Sequence, residues 1–162
     1  MGIEIERKFL VCNDKWRSAI ISEQRLMQGY LIHDSRFTVR VRIHGNTAQL
    51  TIKGASSGIS RSEFEYAIPI ADAEALLNEL ASTPLIDKTR YRVQCAEFIW
   101  EVDVFAGANA GLIVAEIELP TEDAVFTRPE WIGAEVSDDA RYYNANLAAQ
   151  PFSSWAAIDV VK

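Results

Sequence analysis

Acidic and basic residues recur along this chain of 162 residues in like-charged pairs spaced two apart. The pairs are Glu4/Glu6, Arg40/Arg42, Glu63/Glu65, Lys88/Arg90, Glu101/Asp103 and Glu116/Glu118, with Lys8 and Lys53 standing singly. Residues two apart on a β-strand share a face, and like charges there repel modestly unless a neighbouring strand compensates them. If these faces converge on one enclosed space, the lining holds eight acids and six bases, and enclosed charges must be paired or must hold ions. Carboxylates with no histidine or cysteine among them suit hard cations such as Mg²⁺ or Mn²⁺. Arginine forks and lysine ammonium groups suit phosphate oxygens. Both sets together are what metal-dependent phosphoryl chemistry needs: cations neutralise oxygens, bases hold the phosphates, and a carboxylate orients or deprotonates water.

The elements that must position these residues are strands, because the dominant pattern has period 2. Residues 3–11 set Ile3, Ile5 and Phe9 against Glu4, Glu6 and Lys8. Further strands are predicted over 24–33, 36–44, 47–53, 60–70, 85–94, 97–105 and 112–119. A Gly45-Asn46 hairpin turn joins the third to the fourth. Helices are predicted over 13–20, with Asn13 as N-cap, over 71–81, and over 138–149, with Ser137 as N-cap and Asp138 and Asp139 in its first turn. Eight strands in hairpin-like succession predict an α+β fold: a closed eight-stranded antiparallel β-barrel with helices packed outside, as one domain over 1–162. The alternative is an open sheet whose charged face is merely wet.

Composition narrows the functions. Hydrophobic residues make up 49% and charged residues 24%, which excludes a disordered or low-complexity chain. The net charge of −7 argues against nonspecific nucleic-acid or membrane binding. No apolar run is long enough to span a bilayer, and the acidic N-terminus lacks the features of a signal peptide. Cys12 and Cys95 read as two reduced thiols, so a cytoplasmic location is expected. His33 and His44 flank turns and lack metal-ligand spacing. Trp16, Trp100, Trp131 and Trp155 read as packing residues, and Arg7 alternates outward.

Glu4-Ile5-Glu6-Arg7-Lys8, followed in order by Arg40-Val41-Arg42, Lys53, Glu63-Phe64-Glu65, Lys88-Thr89-Arg90 and Glu116-Ile117-Glu118, resembles the CYTH superfamily, the triphosphate tunnel metalloenzymes. The segment from Glu135 to Asn144, with Asn146-Leu147 and Pro151-Phe152, is similar to the C-terminal stretch of its small bacterial members. The resemblance implies an eight-stranded tunnel, a small-molecule triphosphate substrate and an activating divalent metal. It implies phosphate-binding roles for Lys8, Arg40, Arg42, Lys53, Lys88 and Arg90. Glu4, Glu6 and a glutamate of the Glu116/Glu118 pair would hold the metal, with Asp103 a further candidate ligand. Glu63 and Glu65 would assist through a second metal or the attacking water, and Tyr30 would bring a hydroxyl near Lys8. The oligomeric state stays open, with a homodimer among the options.

The expected activity is hydrolysis of inorganic triphosphate to diphosphate and phosphate. The same phosphate and metal residues would serve an adenylate cyclase making cyclic AMP from ATP, or a thiamine triphosphatase. A non-catalytic polyphosphate-binding module is the remaining alternative. No residue set argues for a base or ribose pocket.

Overall fold

A computed structural model describes residues 2–82 and 84–155; Met1, Thr83 and residues 156–162 lie outside the described part. The eight anticipated strands form: β1 (Gly2–Val11), β2 (Ile20–His33), β3 (Phe37–His44), β4 (Thr47–Gly54), β5 (Ser60–Ile68), β6 (Ile86–Cys95), β7 (Phe98–Phe105) and β8 (Ile113–Glu118). All pair antiparallel in the order β5-β4-β3-β2-β6-β7-β8-β1, and β1 pairs back onto β5, which closes the barrel. A short ninth strand, β9 (Ile132–Glu135), takes the edge of β1 beyond the point where β5 leaves it.

Register decides which face is inside. Partners across an antiparallel ladder lie on the same face. Lys8 pairs with Glu116 and Glu6 with Glu118, Arg90 with Asp103, Arg40 with Thr51, and Lys53 with Glu63. The charged faces of the strands other than β2 are therefore one continuous surface, carried across β2 by Gln28 and Tyr30, and it is the lumen. The alternate residues face outward, and most of them are covered. Phe9, Trp100, Ala115 and Ile117 pack under Trp16 and Trp131. Phe126 stands edge-on to the rings of Phe9 and Trp100. Val41 and Ala48 pack under Ala73 and Leu77 of helix α1 (Ile70–Glu79). Full burial of such a side chain is worth about 1.5–3 kcal/mol, so the hydrophobic core of this barrel lies largely outside its wall. Gly29 belongs to that outer packing: a Cβ there would come within 2.7 Å of the Leu85 side chain and 2.9 Å of Ala81.

The C-terminal segment departs from the single helix expected over 138–149. It folds as a 3₁₀ turn, Ala140–Tyr142, and a helix α2, Asn144–Ala149, with extended backbone at Tyr143 between them. The Tyr142 carbonyl accepts from Lys8 Nζ at 3.0 Å, so a lumen lysine takes a carbonyl that a continuous helix would use. Asp139, in place of Ser137, caps the turn by accepting from the Arg141 N–H. Ser137 instead accepts from the Lys8 backbone N–H and donates to Glu135. The helix expected over 13–20 is a 3₁₀ turn, Lys15–Ala19, with the Asn13 side chain accepting from the Lys15 N–H. While α1 lies outside the wall, Tyr142, Ala145 and Leu147 pack on Tyr30, Ile86, Phe105 and Val114 at one end of the barrel.

Candidate active site

A cavity of about 570 Å³ occupies the lumen. The charged residues on the barrel's inner side are segregated around the ring. Lys53 on β4, Arg40 and Arg42 on β3, and Lys88 and Arg90 on β6 form a basic arc, with uncharged Gln28 and Tyr30 of β2 between them. Glu101 and Asp103 on β7, Glu116 and Glu118 on β8, Glu4 and Glu6 on β1, and Glu63 and Glu65 on β5 form an acidic arc. Lys8 and Arg61 are the basic residues within the acidic arc.

The arcs meet at two seams, and the closest ion pairs lie there. At one seam Lys88 Nζ donates to Asp103 at 2.7 Å, and Arg90 grips Asp103 through two bonds of 2.8 and 2.9 Å. Arg90 also lies 3.2 Å from Glu101. At the other seam Lys53 donates to both oxygens of Glu4 at 3.0 Å and lies 3.4 Å from Glu63. Arg61 adds a bond of 3.3 Å to Glu4, and Arg40 stands 3.8 Å from Glu65. Away from the seams the pairing thins. Lys8 is 3.7 Å from Glu116, and Arg42 donates to the neutral Gln28 at 2.7 Å.

Proton affinities follow this layout. Burial would raise Asp103, but Arg90 and Lys88 outweigh it and hold the carboxyl down at about 2. Burial with Arg90 and Arg42 close by pushes Lys88 down to about 7, despite Asp103. Burial, then Arg40 and Arg90, lowers Arg42. Burial in the company of Glu116 and Glu4 pushes Glu6 up to about 8. Burial and neighbouring carboxylates raise Glu63 and Glu118 too. Burial would raise Glu116, but Lys8, Arg90 and Lys88 hold it well below the usual carboxylate range, and Glu6 shares a hydrogen bond with it. Glu6 and Glu118 in the acidic arc and Arg42 in the basic arc are thus short of opposite charge, whereas Glu116 is compensated by the lysines and Arg90.

Among the described residues, no three His, Cys, Asp or Glu side chains are gathered closely enough to hold a metal ion ready-made. The donor set nevertheless fits a hard divalent cation. Glu6 and Glu116 are hydrogen-bonded carboxyls of an oxygen-only cluster, and one of them keeps a proton at neutral pH for want of positive charge. Asp103 does not fit: Lys88 and Arg90 engage both of its oxygens, and it is 0% exposed. The expected metal ligand is an ion-pair anchor. The Tyr30 hydroxyl faces the lumen, but it accepts from Gln28 at 3.4 Å and makes no hydrogen bond to Lys8. Arg7 points outward as expected, bonding Glu135 and lying over the Phe126 ring.

The CYTH domain family matches residues 2–146 of this sequence. The chain belongs to the CYTH domain family. One relative, from Acetivibrio thermocellus and named inorganic triphosphatase, is 48% identical over 155 residues, 96% of this chain and 99% of its own. Another of the same name, from Nitrosomonas europaea, is 36% identical over 90% of this chain and 96% of its own. A solved crystal structure of an inorganic triphosphatase superposes with a TM-score of 0.66 at 35% identity, covering 90% of this chain and 93% of that one. Members of this family depend on a metal, a requirement that the carboxylate cluster of this CYTH chain suits.

Arg61 and Asn144 of the cavity lining, and the buried Gln28 behind it, were not singled out from sequence. Arg61 has the parity of Glu63 and Glu65, so extending the alternation two residues back finds it. Gln28 shares the parity of Tyr30, but an uncharged side chain gives no signal until Arg42 is seen against it. Asn144 enters from the C-terminal segment, outside any strand pattern. His33, read as a turn residue, lies on the cavity rim with Asp34 and Ser35.

Proposed function

We propose that this protein hydrolyses inorganic triphosphate to diphosphate and phosphate inside the barrel, using Mg²⁺ or Mn²⁺. The observation that carries this reading is the division of one enclosed cavity into a basic arc and an acidic arc. The names of the two relatives agree with it. Arg40, Arg42, Lys88 and Arg90 hold phosphate oxygens, the arginines through forked hydrogen bonds. Lys53 completes the cradle from the seam and Lys8 from the acidic side. Glu6 and Glu116 hold the metal, with Glu4 and Glu118 beside them. A bound divalent cation supplies charge neutralisation on the phosphate oxygens. Glu63 and Glu65 orient a water in line with the scissile bond, and one of them takes its proton. The water oxygen bonds to the terminal phosphorus as the anhydride P–O bond breaks, and diphosphate leaves with the bonding electrons. Lys8, the lysine of the acidic arc, stabilises charge on the departing oxygen.

The test is a substrate panel of inorganic triphosphate, ATP, thiamine triphosphate and long polyphosphate, each with Mg²⁺, Mn²⁺ or Ca²⁺. Metal-dependent phosphate release, highest on inorganic triphosphate, is expected. Cyclic AMP as the main product from ATP, or no metal-dependent turnover on any substrate, contradicts the proposal.

A further inference from the structure

The C-terminal segment does more than fill one end of the barrel. Two lumen lysines clamp it on either side of Tyr143: Lys8 donates to the Tyr142 carbonyl at 3.0 Å, and Lys88 donates to Asn144 Oδ1 at 3.0 Å. The second contact fixes the orientation of the Asn144 amide. An ammonium can only donate, so the carbonyl oxygen of the amide must face Lys88. The amide nitrogen, with two N–H donors, must then point the other way. Asn144 lines the cavity. Among the described residues its Nδ2 makes no hydrogen bond, and it is not one of the fully enclosed polar atoms lacking a partner. The amide therefore offers two free donors to the lumen beside Lys88, a residue that is itself 1% exposed and has given two of its three hydrogens to Asp103 and Asn144.

We propose that Asn144 is a substrate-binding residue: its amide donates to a phosphate oxygen of the same group that Lys88 meets, so the C-terminal segment contributes directly to recognition of the phosphate chain. This rests on the triphosphatase reading only for the identity of the ligand. The rival role is a tether, in which Asn144 does nothing but hold the segment to Lys88. Asn144→Asp separates the two roles. It keeps an oxygen for Lys88, and its charge strengthens that contact, but it replaces the donor facing the lumen with a carboxylate that repels phosphate. Asn144→Ala removes both functions.

The experiment is calorimetric titration of tripolyphosphate into wild type, Asn144→Ala and Asn144→Asp in EDTA, which stops turnover, with a melting temperature for each. Substrate contact predicts that affinity falls roughly tenfold in Asn144→Ala, the size of one lost hydrogen bond to a charged group. It predicts a further fall in Asn144→Asp, whose melting temperature is not below that of Asn144→Ala. A pure tether predicts that Asn144→Ala loses affinity only together with melting temperature, and that Asn144→Asp, which keeps the tether, binds no worse than Asn144→Ala; either result overturns the proposal. If Asn144→Asp does not fold, Asn144→Ala decides: affinity equal to wild type overturns the proposal. Wild type that binds tripolyphosphate without hydrolysing it with any metal contradicts the catalytic reading and leaves this comparison intact.

Discussion

The two arcs of the lumen are built from the same kind of strand and solve opposite problems. The basic arc crowds Arg40, Arg42, Lys88 and Arg90 together, so that burial and mutual repulsion lower Arg42 and Lys88. The acidic arc crowds Glu4, Glu6, Glu116 and Glu118, so that burial and repulsion raise Glu6 and Glu118. Close ion pairs occur mainly where the arcs meet, at Asp103 with Lys88 and Arg90 and at Glu4 with Lys53. The seams hold the barrel's charges together, and the middles are left wanting a ligand of opposite sign. On the proposed reading a triphosphate would satisfy one middle and a divalent cation the other. The two ligands also neutralise each other, so each should strengthen binding of the other.

Breaking the middle of the acidic arc should have the largest effect. Glu6→Gln or Glu116→Gln is expected to lower kcat by on the order of 10³-fold, measured as phosphate release at saturating triphosphate and metal. Asp103→Asn breaks a seam instead. It leaves Lys88 buried without its counter-charge, and loss of one member of a buried pair costs about 3–5 kcal/mol, to be read from denaturant unfolding. Arg42→Ala, in the middle of the basic arc, should raise KM for triphosphate by roughly 10- to 100-fold, with little change in the metal requirement. Smaller again is a pH effect in metal-free protein. Glu6 titrates at about 8 in the fold against 4.5 unfolded. Between those values the folded state holds the extra proton, so the contribution of Glu6 to stability is fully present below the unfolded value and declines as pH rises to about 8. Melting temperatures should fall across that window, and Glu6→Gln should flatten the slope. Outside the wall, Arg7→Ala removes a partly exposed ion pair with Glu135. It should cost about 0–1 kcal/mol and leave kinetics unchanged.

The barrel was legible because period 2 is a local signal that each strand carries by itself. All eight strands were found, and once strands alternate in hairpins their charged faces must lie on one surface. What escaped depended on long-range contacts. The four-residue β9 is too short to show a period, and its existence depends on the free edge of β1. The break at Tyr143 goes with one distant contact and one local one: Lys8, 134 positions away in sequence, takes the Tyr142 carbonyl, and the Asn146 amide takes that of Ala140. The charged face gave most of the charged residues that line the cavity but not their pairing. Spacing placed Asp103 among the acids, whereas the Lys88 and Arg90 contacts that occupy it come from register with β6. The resemblance put the Tyr30 hydroxyl near Lys8, and only the folded neighbourhood gave it to Gln28.

The division of labour between the arcs is tested most directly by a crystal structure of the protein with Mn²⁺ and a non-hydrolysable triphosphate analogue, the metal located by anomalous scattering. The account predicts a manganese peak within coordination distance of Glu6 and Glu116, with phosphate oxygens on Arg40, Arg42, Lys88 and Arg90. Manganese bound away from those glutamates, or an analogue bound outside the lumen, would contradict it.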